Sequence, residues 1–491
     1  MSVTYMDKNP SERLLNKYKT RIKISELTEA VNRGLISEDE VEKAIKSKKL
    51  ESLKCPFQFS HERKVMLAQC LENMNQQLKF MEATNPMAMG AYKRYAIDIT
   101  NAVTANLIAP ELVGTHALEG RNGIIRYFNF NYGRTKGQTQ AGQTFNSSLN
   151  MPNNDPMYSS SVVDGEQIVL DANNKYRCKW TPIRMNTFSI KDNTNNKVYI
   201  ANNFGELREP TADPSSTAAG TITPAGVLEF AGLGTDAVAT YRYDNEVVRD
   251  DGTNFYPESV GYNNIPTMDV EIGTVPVFAE VFPMNASWSV MAEYDLLKET
   301  KMSMRDILQT QIIGELQREV DNRIITQLHQ GADASRPIQW SETPGVGVSP
   351  DAHYNGLRIE LSKASKKIRQ ASNKYSANYV VAGTQASADM ECITGFKSAN
   401  TNQVPGSRLV GTLPDGMKLY ETTALDEYDL FLGFKSNNTL ESGAFYCPYM
   451  PVTSLGSVQT GDMRNRQGFA TAYAFTMINS KLYQRGSIIP E

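Results

Sequence analysis

The sequence predicts an α+β fold with a helical N-terminal arm and a β-rich insertion, and three patterns lead to this prediction. The first 84 residues are charged and carry helical signals. Residues 168–266 contain short β segments divided by turn clusters. A long amphipathic helix then follows at residues 303–327. One long helix beside a small mixed sheet is typical of the α+β class.

Length and composition limit the classes of protein to which this chain can belong. A chain of 491 residues is too long for one compact core, so two or three domains are expected. Its 40% hydrophobic residues, 21% charged residues and net charge of −4 are ordinary for a globular protein. This balance does not indicate a free-standing nucleic-acid-binding domain, although a basic face offset elsewhere is compatible with it. The sequence contains no run of about 18 apolar residues, so no membrane span is expected.

The cysteines and histidines give no sign of a disulfide framework or a metal site. Five cysteines and four histidines are widely spaced, and no C-x-x-C pair occurs. Reduced thiols in a cytoplasm are therefore expected. The motifs G-x-x-x-x-G-K-[ST], G-x-S-x-G and H-E-x-x-H are also missing. We accordingly predict no cofactor, no metal and no catalytic residue.

Three helices are predicted in the N-terminal arm. The first begins at Ser25, a good capping residue, and ends near Arg33. The second begins at Ser37, which has a glutamate at the capping-box spacing. The third spans residues 61–83, where apolar side chains recur at helical spacing.

The middle of the chain changes from helical to β patterns. Residues 124–133 alternate like a strand with one buried face. Residues 134–158 are polar and rich in Gly, Gln, Ser and Asn, and a loop of that length is either functional or disordered. Short β segments such as residues 238–243 follow.

The long helix is the strongest single element. Its apolar residues repeat every four positions: Leu308, Ile312, Leu316, Val320 and Ile324. This stripe is expected to pack on a sheet, while charged residues such as Arg318 and Arg323 are expected to be mostly solvated. A second helix at residues 357–372 precedes a buried strand at residues 378–384.

Two aromatic-rich strands are predicted near the C-terminus. The first contains Phe445 and Tyr446 and is expected to be stopped by Pro448 and Pro451. The second, within residues 466–479, alternates large and small side chains. Neither contains a plausible nucleophile, base or metal cluster.

In order and spacing, the motifs from about residue 106 to the C-terminus resemble the major capsid protein family of T-even-type tailed bacteriophages. The sharpest match is Gly443-Ala444-Phe445-Tyr446-Cys447-Pro448-Tyr449. Ala292-Glu293-Tyr294 resembles the entry to that family's spine helix, and residues 377–382 resemble the central strand of its axial domain. Residues 171–263 depart from the pattern, which indicates an insertion.

The resemblance implies an HK97-like capsid fold and a subunit that assembles into hexamers and pentamers, forming the shell around the DNA genome in a virion. The family's extended E-loop should lie across a neighbouring subunit, with Arg134, Lys136 and Gln138 as candidate contacts. The expected divisions are an N-terminal arm at 1–84, the start of the core at 85–133, the E-loop at 134–158, the insertion at 168–266, the peripheral domain with the spine helix at 267–374 and the axial domain at 375–491.

The resemblance also implies processing and partners. A prohead protease of this family cuts after Leu/Ile-x-Glu, and Leu27-Thr28-Glu29 before Ala30 fits that pattern. Glu29 and Ala30 therefore flank the candidate cleavage site. Alternatively, the arm is retained and braces neighbours, with the lysines of residues 43–49 contacting scaffold or packaged DNA. Scaffolding protein, portal, vertex and decoration proteins are further expected partners, with assembly in the host cytoplasm and no membrane involved.

Other functions stay open at this point. A pentameric vertex protein of the same family would share the fold, and the sequence does not separate it from the main hexamer-forming subunit. An encapsulin-type cellular compartment would also share the fold, but the insertion and the arm favour a virus. Some HK97-like shells form a Lys–Asn crosslink between subunits. Lys136 has the residue type for that chemistry, but the chain does not resemble those shells.

Overall fold

A computed structural model of the chain describes residues 10–32, 35–37, 40–41, 43, 55–84, 107–147, 153–170, 175–210, 217–244, 266–301, 303–399, 406–436, 441–454, 458–459 and 464–490. The chain divides into a larger unit, Met1–Arg126 with Thr274–Glu491, and a smaller unit, Tyr127–Gly273. The smaller unit contains both the expected E-loop and the expected insertion. The finer division into six segments remains a prediction.

The helices are concentrated in the larger unit. They are α1 Pro10–Asn32, α2 His61–Thr84, α3 Ala109–Leu112, α4 Val290–Thr300, α5 Met304–Gly331, α6 Pro350–Ser372 and α7 Thr384–Glu391, with 3-10 turns at Met185–Thr187 and Ser480–Leu482.

The strands occur in both units. They are β1 Gly114–Thr115, β2 Asn122–Tyr132, β3 Thr144–Ser147, β4 Val162–Gln167, β5 Val169–Leu170, β6 Tyr176–Arg177, β7 Ser189–Asp192, β8 Lys197–Ala201, β9 Glu206–Arg208, β10 Gly220–Ile222, β11 Val227–Phe230, β12 Ala237–Arg242, β13 Met268–Phe278, β14 Glu280–Ser289, β15 Asp333–Ser341, β16 Tyr379–Ala382, β17 Lys397–Ser398, β18 Arg408–Thr412, β19 Lys418–Glu421, β20 Asp429–Gly433, β21 Ala444–Ser454, β22 Val458–Gln459, β23 Arg464–Met477 and β24 Tyr483–Ile489. The mixture of helices and sheets confirms the α+β class.

Two sheets lie in the larger unit. One has the strand order β15-β24-β20-β16-β19-β18-β17, in which β16 runs parallel to β19 and antiparallel to β20. Strand β16 is buried along its whole length, as expected for an apolar run covered on both faces. The other sheet has the order β1-β21-β23-β14, with β22 also paired to β23.

Helix α5 confirms the predicted long amphipathic helix. Ser303 precedes it as the N-cap residue, and the helix continues to Gly331. The side chains of Leu316, Val320 and Ile324 are at most 3% exposed and belong to the main core. Burying each of them contributes roughly 1.5–3 kcal/mol, so this stripe anchors the helix on the rest of the larger unit.

Strand β21 contradicts the prediction that two prolines end it. The strand runs from Ala444 to Ser454 through both Pro448 and Pro451. Its register with β23 shifts between Pro448 and Met450 and again before Thr453. Because proline has no backbone N–H, irregular pairing at these positions lets the ladder continue. Strand β24, which joins the seven-stranded sheet, was not predicted.

The first predicted helix begins much earlier than expected. Helix α1 starts at Pro10, and Ser25 is buried inside it instead of capping it. The cause is packing, because Leu14, Tyr18 and Ile22 lie in a cluster with side chains of α2. Helix α2 agrees with the prediction for residues 61–83. The predicted second helix falls mostly outside the described residues.

The smaller unit has its own core and a nine-stranded sheet of order β4-β12-β7-β8-β9-β10-β11-β6-β5. Strand β12 shows why the sheet has one covered face. Its alternate residues Ala237, Ala239 and Tyr241 are at most 1% exposed, whereas the residues between them are more accessible. A separate three-stranded sheet has the order β13-β2-β3.

Candidate assembly surfaces

No chemical site emerges from the described part of the chain. Within it, no group of three or more His, Cys, Asp or Glu side chains is placed to hold a metal ion. No described helix is long and apolar enough to cross a membrane. The cysteines are free thiols, and burial raises the pKa of Cys70 and of Cys447 to about 12. Both thiols are therefore protonated and unreactive at neutral pH.

Helix α4 carries an apolar stripe that faces solvent. Met291, Tyr294 and Leu297 are 70%, 54% and 53% exposed, and their spacing of three residues places them on neighbouring turns of one side. A surface helix normally buries such a stripe against its own protein. Among the described residues of the larger unit, this stripe is therefore left without a packing partner.

Hydrogen bonds connect the N-terminal turn of α4 to the neighbouring strands. The Ser289 hydroxyl accepts a hydrogen bond from the Ala292 N–H at 3.1 Å and caps the helix. One carboxylate oxygen of Glu293 accepts hydrogen bonds from the Trp288 indole N–H at 2.8 Å and from the Asn465 amide at 2.9 Å. These contacts tie the helix to β14 and β23.

The strand that leads into α4 is the edge of its sheet. Strand β14 pairs along its whole length with β23, from Glu280 opposite Tyr473 to Ser289 opposite Arg464. On its other side no strand is paired among the residues that the structure describes. Such an edge offers free backbone donors and acceptors to another chain.

The smaller unit has an exposed apolar row of its own. Met268, Val270 and Ile272 alternate along β13 and are between 58% and 61% exposed. Because successive strand residues point to opposite faces, these three side chains lie on one face. A single exposed apolar residue is normal on a soluble protein, but an aligned row is typical of an interaction surface.

The three predicted E-loop contacts are in different environments. Gln138 is exposed, Arg134 is half-buried, and Lys136 is only 3% exposed. The Lys136 ammonium donates hydrogen bonds to the carbonyl oxygens of Met157 at 3.0 Å, Tyr158 at 2.7 Å and Ser160 at 2.5 Å. All three of its protons are thus used inside the smaller unit.

Lys136 also lies near two aromatic rings. Its Nζ is 5.8 Å from the ring centre of Trp180 and 5.4 Å from that of Tyr243. Burial lowers its pKa to about 8, so the side chain is still mainly an ammonium ion at neutral pH. The structure therefore gives Lys136 an internal role, and contacts to a neighbour are better sought at Arg134 and Gln138.

The candidate cleavage site lies within a packed helix. Glu29 and Ala30 are 7% and 0% exposed in α1, and Leu27 beside them is also 0% exposed. The Glu29 carboxylate is 3.7 Å from the guanidinium of Arg63 on α2. Cleavage after Glu29 would therefore require α1 to open locally.

A buried group of charges joins α2, α3 and α5 in the larger unit. The Asp321 carboxylate accepts hydrogen bonds from the backbone N–H groups of Ala109 at 2.9 Å and Ile108 at 3.2 Å. Arg63 is 3.7 Å from Glu111, whose carboxylate accepts a 2.6 Å hydrogen bond from the Tyr420 hydroxyl. No local sequence pattern singles out these residues, because they come from distant segments.

Comparison with known proteins identifies the chain's family. The family model described as Major capsid protein Gp23 matches residues 89–488. The chain belongs to this family. The predicted resemblance to T-even-type capsid proteins is thereby confirmed, and the chain is a structural protein of the phage virion rather than an enzyme. The long helix α5 and the mixed seven-stranded sheet are in accord with the HK97-like fold that the resemblance implies.

A curated relative supports the same family. The chain is 24% identical over 232 residues to the major capsid protein of Vibrio phage KVP40, a match that covers 42% of this chain and 44% of the relative. The match thus spans less than half the length of that relative.

Similar solved structures also come from phages. A chain of Microbacterium phage Oxtober96 is 14% identical, with 50% of this chain and 81% of that chain covered and a TM-score of 0.31. The capsid of Myoviridae phage XM1 contains a chain that is 11% identical, with 47% and 80% covered and a TM-score of 0.30.

Proposed function

We propose that the chain is the main shell subunit of a tailed-phage head and assembles into hexamers and pentamers that enclose double-stranded DNA. The observation that carries this proposal is the exposed apolar stripe of α4, Met291, Tyr294 and Leu297, in a chain of a capsid family. Covering the stripe with a second copy of the chain removes apolar surface from water. The same contact repeated around a ring builds a closed assembly.

The contact is heterologous in this proposal, so the stripe and the free edge of β14 pack on a different surface of the neighbour. Scaffolding protein, portal, vertex and decoration proteins and a prohead protease are the further partners of such a shell. Arg134 and Gln138 are proposed to contact a neighbouring subunit through polar groups. Removal of the segment up to Glu29 is a proposal too, and the intact mass of the chain taken from particles tests it.

Assembly of the purified chain, with scaffold if needed, tests the main proposal. Sedimentation velocity and negative-stain microscopy should show rings, tubes or shells for the wild type. The double variant Met291→Glu/Leu297→Glu should remain unassembled, because each change places a charge in an apolar contact. Val346→Glu is the control, since Val346 is exposed in a loop and a glutamate introduced there should leave assembly intact.

Two results would contradict the proposal. One is a wild-type chain that stays monomeric under all conditions, including with scaffold present. The other is a Met291→Glu/Leu297→Glu variant that assembles as well as Val346→Glu. Pentameric rings without hexamers would favour the vertex role instead.

A further inference from the structure

Helix α6 has one buried face and one strongly cationic face. Leu357, Leu361, Ala364 and Ile368 are at most 1% exposed and fix the helix on the core. The remaining faces carry more cations than acids: Arg358, Lys363, Lys366, Lys367 and Arg369 against Asp351 and Glu360. Because one side of α6 is buried, the cationic side chains lie on the side that a binding partner can contact.

Only part of this positive charge is compensated by neighbouring acids. Arg358 is 2.7 Å from Asp415, and Lys363 is 2.6 Å from Glu360. Lys366 and Arg369 are exposed and form no ion pair with the described residues. At least two positive charges therefore remain available to a ligand on this face.

An open groove of about 640 Å³ runs beside the cations. Its lining includes the cations Arg358, Lys363 and Lys366 and the acid Asp415, which is paired with Arg358. The polar side chains of Asn355, Ser362 and Thr394 also line it. Ammonium, guanidinium, hydroxyl and amide groups are the donors that bind phosphate oxygens in protein–DNA contacts. The groove thus combines charge with short polar donors.

We infer that this face of α6 binds the phosphate backbone of double-stranded DNA without reading its sequence. The inference rests on the proposed function, which places DNA inside the shell. From Lys363 to Arg369 the helix rises by about 9 Å. A duplex carries one negative charge per about 1.7 Å of its axis, so this cationic line can meet several phosphates.

The features of the groove favour DNA over an acidic protein. Protein interfaces usually have an apolar centre with aromatic residues, whereas this groove has Ile359 as its exposed apolar residue and no aromatic side chain in its lining. Its openness along the helix also fits a rod-shaped polyanion better than a small phosphate compound.

The test measures binding of a 30-base-pair duplex to the assembled full-length chain by fluorescence anisotropy at several salt concentrations. Lys366→Gln/Arg369→Gln should weaken DNA binding. It should also make the salt dependence of the binding constant less steep, by the amount that corresponds to two lost phosphate contacts. The loss of affinity between about 50 and about 200 mM salt should then be about tenfold smaller than for the wild type. Lys397→Gln/Lys481→Gln removes the same charge from exposed positions elsewhere and is the matched control.

Sedimentation of the same samples separates this inference from the proposed function. Normal assembly with equal DNA affinity and salt slope in both variants would overturn the inference and leave the shell function intact. If no sample assembles, the shell function fails as well. A competition experiment with polyglutamate tests the alternative of an acidic protein. Polyglutamate could displace the duplex at equal charge concentration, and Lys366→Gln/Arg369→Gln could lose affinity for the duplex and for polyglutamate equally. That pair of results would mean that the face binds acidic protein and that the DNA assignment is wrong.

Discussion

Replacing Asp321 by asparagine should change how the stability of the larger unit depends on pH. Asp321 lies on α5, is 6% exposed, and accepts two backbone hydrogen bonds at the start of α3. Burial raises its pKa from 3.8 to about 7, although the two hydrogen bonds and Arg63 act in the opposite direction. Folding is therefore more favourable when the Asp321 carboxyl is protonated, which is the case at low pH.

The sign and size of the effect follow from this shift. Because the folded pKa is higher than the unfolded one, the stabilisation is fully present below about pH 3.8. It is lost as the pH rises through 7. Between pH 5 and pH 8, the linkage relation gives a loss of about 2.5 kcal/mol for this one group. An asparagine cannot titrate, so Asp321→Asn should lack this loss.

The Asp321→Asn variant should be less stable than the wild type at pH 5, and its stability relative to the wild type should increase towards pH 8. Its amide oxygen can keep the bond from Ala109 but not both bonds, which costs about 1 kcal/mol at pH 5. The difference in thermal midpoint between variant and wild type should then shift by about 4 °C in favour of the variant by pH 8. Differential scanning fluorimetry of dilute, unassembled protein measures this difference.

Asp295→Asn is the control, because Asp295 is an exposed acid on α4 and the same substitution there removes no buried carboxyl group. A midpoint difference between Asp321→Asn and wild type that stays constant from pH 5 to pH 8 would refute the reasoning. It would mean that Asp321 remains ionised in the fold, held by Arg63 and the two backbone donors.

Three further substitutions test other parts of the structure. Lys136→Met should lower the stability of the smaller unit by about 3 kcal/mol, because three carbonyl oxygens lose their hydrogen-bond donor. Limited proteolysis measures this loss, and Lys179→Met, at an exposed position, is the control. Ile324→Ala should cost about 2–5 kcal/mol by leaving a cavity under α5, and a midpoint within 1 °C of wild type would contradict its burial. Gly314→Ala, on the exposed side of the same helix with open space around it, should instead stabilise the fold by about 1 kcal/mol in the same melting assay.

Local elements were predictable because their signals lie within a few residues of one another. The four-residue repeat of α5 and the apolar spacing of α2 located both helices to within a few residues. Helix α1 was placed too late because its N-terminal half is stabilised by contacts with α2 rather than by a capping signal. Likewise, the prolines of β21 are tolerated because β23 pairs irregularly beside them.

The candidate surfaces were less predictable than the elements that carry them. Tyr294 belongs to the motif that resembles the entry to the spine helix. No local pattern, however, distinguishes an apolar stripe that faces a neighbour from one that faces the core. Lys136 is predicted at a subunit contact, and the structure shows that its ammonium donates to three carbonyl groups of its own chain. Burial depends on segments that are far apart along the chain.

The α+β class, the main helices and the membership of a capsid family can be read from the amino-acid sequence, because periodicity and motif order are properties of the chain alone. Which side chains are available for assembly and which charges are buried depends on the folded arrangement. Asp321 shows the reason: its hydrogen-bond partners Ala109 and Ile108 are 212 and 213 positions away in the chain. Only folding brings such groups together and removes them from water, and that removal sets both their pKa values and their accessibility.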